Sequence, residues 1–353
     1  MAALKRACSL QSLSLAALLF VACTGCLPTG EDSWGHYQGG GHYPARSPSM
    51  SPDGSAIVFS SPRSGHGDIY QINRDGSQPV RLTDSSDFET DPVFTPDGTT
   101  IAFAREADGI RHIWLMNQDG SNQRQLTSGR VLDDPWMFTP DGSELFIWRS
   151  PLSLGLGRTM TTYAVNLLNG KVRQLEALLP EYSPDGRHVA YSEFSESNGR
   201  EEIWLMNADG TNKHFLVSGH SPRFSPDGNT VLFSTEHTNP GSLWRTIDID
   251  GSNNRKLGRV EGPMFAPDGE HIVCLSPEWQ REIWKLDLDG SHRERLQAPT
   301  GYISFFRPCR DGFIFNLVTD DRVGEIYVIN TDDWTVERVT SIKTDAGQHV
   351  LSN

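Results

Sequence analysis

Ser51-Pro52-Asp53-Gly54 is the stretch that decides how this sequence is read, because it returns down the chain. It recurs as Thr95-Pro96-Asp97-Gly98, Thr139-Pro140-Asp141-Gly142, Ser183-Pro184-Asp185-Gly186, Ser225-Pro226-Asp227-Gly228 and Ala266-Pro267-Asp268-Gly269. A degenerate copy, Cys309-Arg310-Asp311-Gly312, ends the series. From one aspartate to the next the steps are 44, 44, 44, 42, 41 and 43 residues. A fixed period in the forties marks a repeat architecture. Each copy has the chemistry of a tight turn: Pro presets φ, Asp bonds the backbone two residues on, and Gly accepts positive φ.

One repeat runs from Asp91 to Thr127. The short strand Asp91-Pro92-Val93-Phe94 is ended by the turn, and Ile101-Ala102-Phe103-Ala104 follows as a second strand. A polar loop, 105–111, leads to a third strand, His112-Ile113-Trp114-Leu115-Met116-Asn117. A second turn, Asp119-Gly120-Ser121-Asn122, precedes a last strand ending Arg124-Gln125-Leu126-Thr127. Four antiparallel strands in such a unit make one blade of a β-propeller. The third strand returns as Asp68-Ile69-Tyr70, Glu202-Ile203-Trp204, Leu243-Trp244, Glu282-Ile283-Trp284 and Glu325-Ile326-Tyr327. The third unit departs, with Asn169-Gly170 at its second turn and a longer loop over 150–161. The expected fold is all-β, a single seven-bladed propeller of four-stranded antiparallel blades over residues 47–340. The recurrence of the aromatics (Tyr70, Trp114, Trp204, Trp244, Trp284, Tyr327, and Phe94, Phe138, Tyr182, Phe224, Phe265) assigns them to the packing between blades rather than to a sugar platform.

These residues resemble the TolB-type propeller repeat, with its Ser-Pro-Asp-Gly turn, its acid-Ile-aromatic strand and its second Asp-Gly turn. The resemblance covers about 47–340 and implies the propeller fold. TolB itself carries an α/β domain ahead of six blades, whereas a short tether precedes seven units here, so its envelope role transfers weakly. Prolyl oligopeptidases and dipeptidyl peptidases carry related propellers joined to a hydrolase domain. No Gly-x-Ser-x-Gly elbow occurs in this chain.

Residues 1–22 read as an export signal, with Lys5 and Arg6 before an apolar run over 13–22. Phe20-Val21-Ala22-Cys23 is similar to the lipobox of bacterial lipoproteins, although Phe20 departs from the usual aliphatic residue. That resemblance implies acylation at Cys23, with Cys26, after Thr24-Gly25, as the alternative; ordinary secretion with cleavage near Ala22 or Gly25 is the plainer reading. The expected location is the bacterial cell envelope, lipid-anchored, on the periplasmic side or at the outer membrane or surface. Residues 23–46 form a Gly-rich tether around Gly39-Gly40-Gly41. No run of about 20 apolar residues lies beyond the N-terminus, so no spanning helix is expected. The tail, 341–353, contains Val350-Leu351-Ser352, spaced from Thr340 as Val93-Phe94-Thr95 is from Thr83. It is read as a surplus strand lying across the junction of the first and last blades, with a frayed end as the alternative.

The chain has 353 residues and a formal net charge of −14, which argues against nucleic acid as a partner and favours solubility. No cofactor is called for. Of the cysteines beyond the leader, Cys274 takes a core position held elsewhere by Phe59, Phe103 and Phe233, and Cys309 sits at a turn. The eleven His are scattered, with none in a His-x-x-x-His pair, and the Asp-Gly turns lack the ligand series of a calcium loop, so no metal site is assigned.

Loop diversity gives the functional argument. The first-to-second and third-to-fourth strand turns share one face and are uniform, while the other face carries 62–67, 105–111, 150–161, 193–200, 236–241, 277–281 and 319–324, which vary. Binding is expected on the variable face. Period two along each innermost strand points Ser49, Val93, Met137, Glu181, Arg223, Met264 and Arg307 at the axis, with Asp91, Pro135 and Ser221 two positions earlier. The channel set is therefore Asp91, Met137, Glu181, Arg223, Met264 and Arg307, suited to a peptide terminus or a small anion, with a water-filled, idle tunnel as the alternative. The function read from the sequence is a monomeric, non-enzymatic envelope scaffold for a protein or peptide. A metal-dependent polysaccharide lyase of the oligogalacturonate type comes second, and a non-catalytic carbohydrate scaffold third.

Overall fold

The repeated tetrapeptide folds as its chemistry dictates. In the second copy the Gly98 N–H donates to the Thr95 carbonyl (2.8 Å) and Thr95 Oγ1 donates to Asp97 Oδ1 (2.6 Å). The same carboxylate oxygen accepts the Thr99 N–H (3.0 Å), and Thr95 Oγ1 accepts the Thr100 N–H (3.1 Å). Gly98 has φ 73°, the left-handed conformation that a side chain resists. The seventh copy departs: Cys309 pairs directly with Gly312 across a tighter hairpin, and Gly312 is not left-handed.

The computed structural model describes residues 46–152, 161–175, 178–236, 241–277, 282–318, 324–340, 342–345 and 348–351. Cys23 and Cys26 lie outside them. Among the described residues there is no α-helix, and so none long and apolar enough to cross a membrane.

The chain forms successive antiparallel meanders. The first is β1 (Arg46–Met50), β2 (Ala56–Ser61), β3 (Asp68–Asn73) and β4 (Val80–Arg81). The second is β5 (Phe88–Phe94), β6 (Thr100–Ala107), β7 (Ile110–Asn117) and β8 (Arg124–Gln125); the third is β9 (Val131–Phe138), β10 (Glu144–Pro151), β11 (Thr161–Asn166) and β12 (Val172–Gln174). A single parallel pairing, Arg111 with Leu132, joins these two into one sheet. The fourth is β13 (Leu178–Tyr182), β14 (His188–Ser195), β15 (Arg200–Asn207) and β16 (His214–Ser218). Next come β17 (His220–Phe224), β18 (Thr230–Ser234) and β19 (Ser242–Asp248), then β20 (Arg255–Phe265), β21 (His271–Leu275), β22 (Ile283–Asp287) and β23 (Glu294–Arg295). The long β20 closes one meander with its first half and opens another with its second. The last is β24 (Tyr302–Cys309), β25 (Gly312–Val318), β26 (Gly324–Asn330) and β27 (Val336–Arg338).

The first strands are innermost, since β1 touches β5, β5 touches β9, β13 touches β17, and β24 touches β1. The core lies between successive sheets. Val58 and Ile69 pack on Phe94, Ile101 and Phe103, and Leu232, Trp244 and Leu257 pack on Phe265, Ile272 and Cys274. Of the third-strand aromatics, Tyr70, Trp244 and Tyr327 are buried, while Trp114, Trp204 and Trp284 are half-buried. Cations cover several of these rings, among them Arg63 over Tyr70 at 4.5 Å, Arg105 over Trp114 at 4.1 Å and Lys213 over Trp204 at 4.9 Å. Cys274 is buried, Cys309 is half-buried, and both are free thiols.

The last meander packs directly on the first. Ile314, Ile326, Val328 and Val339 share a core cluster with Ile57, Phe59, Tyr70 and Ile72. On the turn face Arg310 Nη1 donates to the Asp53 carbonyl (3.0 Å) and Arg74 pairs with Asp311. A Cβ on Gly98 would lie 3.3 Å from Pro52 of the preceding turn, and one on Gly54 would lie 3.8 Å from Arg310, which stands where that proline stands. The tail strands β28 (Ile342–Asp345) and β29 (Gln348–Leu351) pair with each other as a separate two-stranded sheet. Pairing of the tail with the first meander is not among the described strand pairings, and β1 keeps its own place on β2.

Candidate functional site at the centre of the disc

Every first strand breaks register a few residues before its turn, for example between Thr90 and Val93, His220 and Arg223, and Glu261 and Met264. The break is a β-bulge, which seats two residues opposite one and re-aims the side chains beside it. Ser47, Asp91 and Ser221 occupy the same place in it at φ 47°, 52° and 55°, and Gly262 stands there at φ 52°. In β5 the alternation of half-buried and buried residues holds from Asp91 to Phe94 and breaks only upstream, at Glu89 and Thr90. Asp91 accepts a hydrogen bond from Ser47 Oγ (2.5 Å), which ties two neighbouring innermost strands together.

The remaining expected channel residues lie on the innermost strands in unlike settings. Met264 is buried in a core cluster with Phe306 and Phe313, and Met137 is half-buried. Arg307 stacks over Phe305 of its own strand at 4.8 Å. Glu181 and Arg223 lie on neighbouring innermost strands, β13 and β17. Glu181 keeps some contact with solvent, yet protein surrounds it, and that enclosure pushes its carboxyl up to about 7 against the opposing pull of Arg223. Arg223 Nη1 donates to the Pro263 carbonyl (3.2 Å), and the guanidinium lies 5.9 Å from the Trp244 ring.

Glu261, which the alternation rule passed over, belongs with this pair. Burial raises its pKa and the charge of Arg223 opposes the shift, as it does at Glu181. The signal that could have found it is Gly262, since a glycine inside a strand marks a bulge.

At the variable-loop end, further acids are buried with arginines. Glu89 accepts from Arg105 Nε (2.6 Å), Asp133 takes a two-pronged bond from Arg149 (2.7 and 2.8 Å), and Arg111 joins Glu106 to Asp134. His112 sits near the Asp133–Arg149 pair, and burial lowers its pKa. Three of the variable loops, 62–67, 105–111 and 193–200, lie wholly within the described residues. Among the described residues no group of three or more His, Cys, Asp or Glu is placed to hold a metal ion. On the turn face a groove of about 530 Å³ opens between the second and third meanders beside Asn117, Arg124, Ser143 and the exposed Leu168, where the third unit's turn departs from the repeat.

The turns, meanders and innermost strands together define a β-propeller. A model of the TolB beta propeller domain matches residues 43–152 and 89–262, more than half of the chain, and the chain belongs to that family. No curated protein matches it. Among solved structures it is similar to an oligogalacturonate lyase from Vibrio parahaemolyticus, at 15% identity and a TM-score of 0.60, covering 83% of this chain and 92% of that one. It is also similar to a puromycin-hydrolyzing peptidase from Mycobacterium tuberculosis, at 14% identity and a TM-score of 0.64, covering 84% and 53%. TolB from Acinetobacter baumannii matches at 22% identity and a TM-score of 0.43, covering 59% and 53%. The chain thus spans about half the length of that TolB and of the peptidase.

Proposed function

We propose that the chain is a non-enzymatic scaffold of the bacterial cell envelope, a seven-bladed propeller held to a membrane through acylated Cys23. It binds a protein or peptide through its variable loop face and the mouth of its channel. Closure at seven blades is supported by the last meander, which repeats against the first the contacts that successive meanders make elsewhere. The observation that carries the binding role is the placing of Glu181, Arg223 and Glu261 on three successive innermost strands, β13, β17 and β20, with the Arg223 guanidinium bonded to the Pro263 carbonyl (3.2 Å). Enclosed charge of this kind is expensive unless a partner completes it.

The test is capture from envelope membranes with tagged wild type and with Arg223→Ala. Partners recovered with wild type and lost with the variant, at unchanged melting temperature, are expected; equal recovery would remove the channel mouth from the binding surface. Cys23→Ser is expected to abolish labelled palmitate incorporation and release the protein from membranes, and retained label would move the anchor to Cys26. The lyase reading rests on the likeness to the Vibrio parahaemolyticus structure, which shows fold alone at this identity. Ultraviolet assay of oligogalacturonate with added Mn²⁺ is expected to show no unsaturated product.

A further inference from the structure

The outermost strand of a blade offers one unpaired edge, and such an edge invites another strand unless charge or brevity blocks it. Here β4, β8 and β23 are two residues long, and β12 and β27 are three. Each carries an arginine: Arg81, Arg124, Arg295, Arg173 and Arg338. The outer half of β20 is longer but holds Arg255, Lys256 and Arg259. The exception is β16, His214-Phe215-Leu216-Val217-Ser218, five residues without Lys, Arg, Asp or Glu.

Among the described residues β16 pairs antiparallel with β15 alone and ends the fourth sheet. Phe215 is 47% exposed and rests edge-on against Trp204, with ring centroids 5.9 Å apart. Leu216 and Val217 are half-buried against the core below. The edge is therefore apolar and extended, with one bulge at Leu216 between the Phe215–Trp204 and Val217–Ile203 pairs. At its Ser218 end it lies beside the β14–β15 hairpin, since Ser218 pairs with Glu202. Residues 193–202 of that hairpin contain Glu193, Glu196, Glu201 and Glu202 against one arginine, Arg200, and Lys213, just before β16, pairs with Glu193 (2.8 Å), so the hairpin end stays net acidic.

We propose that β16 is a docking edge for an extended segment of another polypeptide, apolar at alternate positions and basic at its N-terminal end. Main-chain hydrogen bonds along β16 supply affinity, as in other strand additions. An added strand running antiparallel, like every other neighbour in this sheet, brings its N-terminal end to Ser218 and the four glutamates, which selects lysine or arginine there. A second copy of the chain is the poorer occupant, because it brings the same acidic hairpin and a net charge of −14. This edge is a separate surface from the channel mouth.

The experiment uses the whole protein and a fluorescent peptide amide, Lys-Lys-Val-Thr-Val-Thr-Val, with Glu-Glu-Val-Thr-Val-Thr-Val as its counterpart. Fluorescence anisotropy is expected to show the basic peptide binding at least tenfold tighter than the acidic one. Hydrogen exchange on the wild type is expected to show amides 214–218 slowed by the peptide and those of the other outer strands unchanged. Phe215→Lys, at a site exposed enough to take the charge, weakens binding at least tenfold, while Val80→Lys on β4 leaves it unchanged. Equal affinity for the two peptides, protection elsewhere, or no binding overturns the proposal. So does sedimentation showing that β16 mediates self-association, which would give the edge to a second copy.

Discussion

Two glycines show what a single residue decides here. Gly120 and Gly210 stand at equivalent second turns with φ 82° and 83°, so an alanine at either meets the same left-handed penalty, about 1–2 kcal/mol. Their surroundings differ: a Cβ at Gly120 would sit 2.6 Å from the Leu82 carbonyl oxygen, and at Gly210 nothing lies within 4 Å. Gly210→Ala is therefore expected to lower the melting temperature modestly and Gly120→Ala distinctly more; equal shifts would mean that the second and first meanders do not pack this closely. The turn aspartates set the acid limb of stability. Asp53 is held down to about 2, chiefly by the Ser51 hydroxyl, and Asp97, Asp141, Asp185 and Asp227 are lowered in the same way. A depressed carboxylate contributes stability above its unfolded pKa, near 4, and loses it as pH falls toward 2. Glu181 has the opposite sign. With its folded pKa raised to about 7, its ionisation costs stability fully above 7, and the cost fades as pH falls toward about 4.5. Glu181→Gln is expected to gain on wild type in thermal melts between pH 4.5 and 8, with the gap growing as pH rises. A gap that is flat with pH would place this carboxyl in open water.

At the scale of the element, the turn from β26 to β27 breaks the rule of its own repeat. Where other units place glycine, Trp334 adopts φ 60°, while Asp333 accepts the Thr335 N–H (3.0 Å) as the rule requires. The ring repays that backbone by packing edge-on against His271 (5.1 Å) and beneath the Lys285 ammonium (4.7 Å), both on the preceding meander. Trp334→Ala keeps the left-handed strain and loses both contacts, whereas Trp334→Gly loses the contacts and relieves the strain. The expected order of melting temperatures is wild type, then Gly, then Ala; Ala at or above Gly would show that the turn is not left-handed in solution. Elements of this kind divide what was legible in the sequence from what was not. The strands, turns and blade-to-blade aromatics could be read because each has a local cause repeated with a period: a turn tetrapeptide, an alternation, an acid-Ile-aromatic run. The bulge in each first strand has no such signature except at Gly262, so the bond from Ser47 to Asp91 across two innermost strands could not be read from alternation. Glu261 was missed for the same reason. The β16 edge was passed over because its signal is an absence, the arginine that its counterparts carry.

The joint between the last and first meanders is where the whole molecule is decided, and magnitudes say what holds it. Arg74 and Asp311 are about a quarter and a third exposed, and an ion pair so placed contributes about 1 kcal/mol or less. The apolar cluster beneath is of another order. Phe59 and Ile326 are both fully buried there, and truncating such side chains costs about 2–5 kcal/mol. Arg74→Ala is thus expected to shift the melt slightly, with the difference vanishing in 1 M salt. A double-mutant cycle of Phe59→Leu and Ile326→Val addresses closure directly, because those residues belong to opposite ends of the chain. In a closed ring the two losses are coupled by about 0.5 kcal/mol or more; additivity within about 0.3 kcal/mol would mean that the two sheets do not touch in solution. The tail is tested by the same logic. Since β28 and β29 satisfy each other and the cluster is complete by Val339, deleting residues 341–353 is expected to leave the melting temperature unchanged. A fall of several degrees would put the tail across the joint, and the seal would then belong to backbone pairing rather than to the side chains of the first and last meanders.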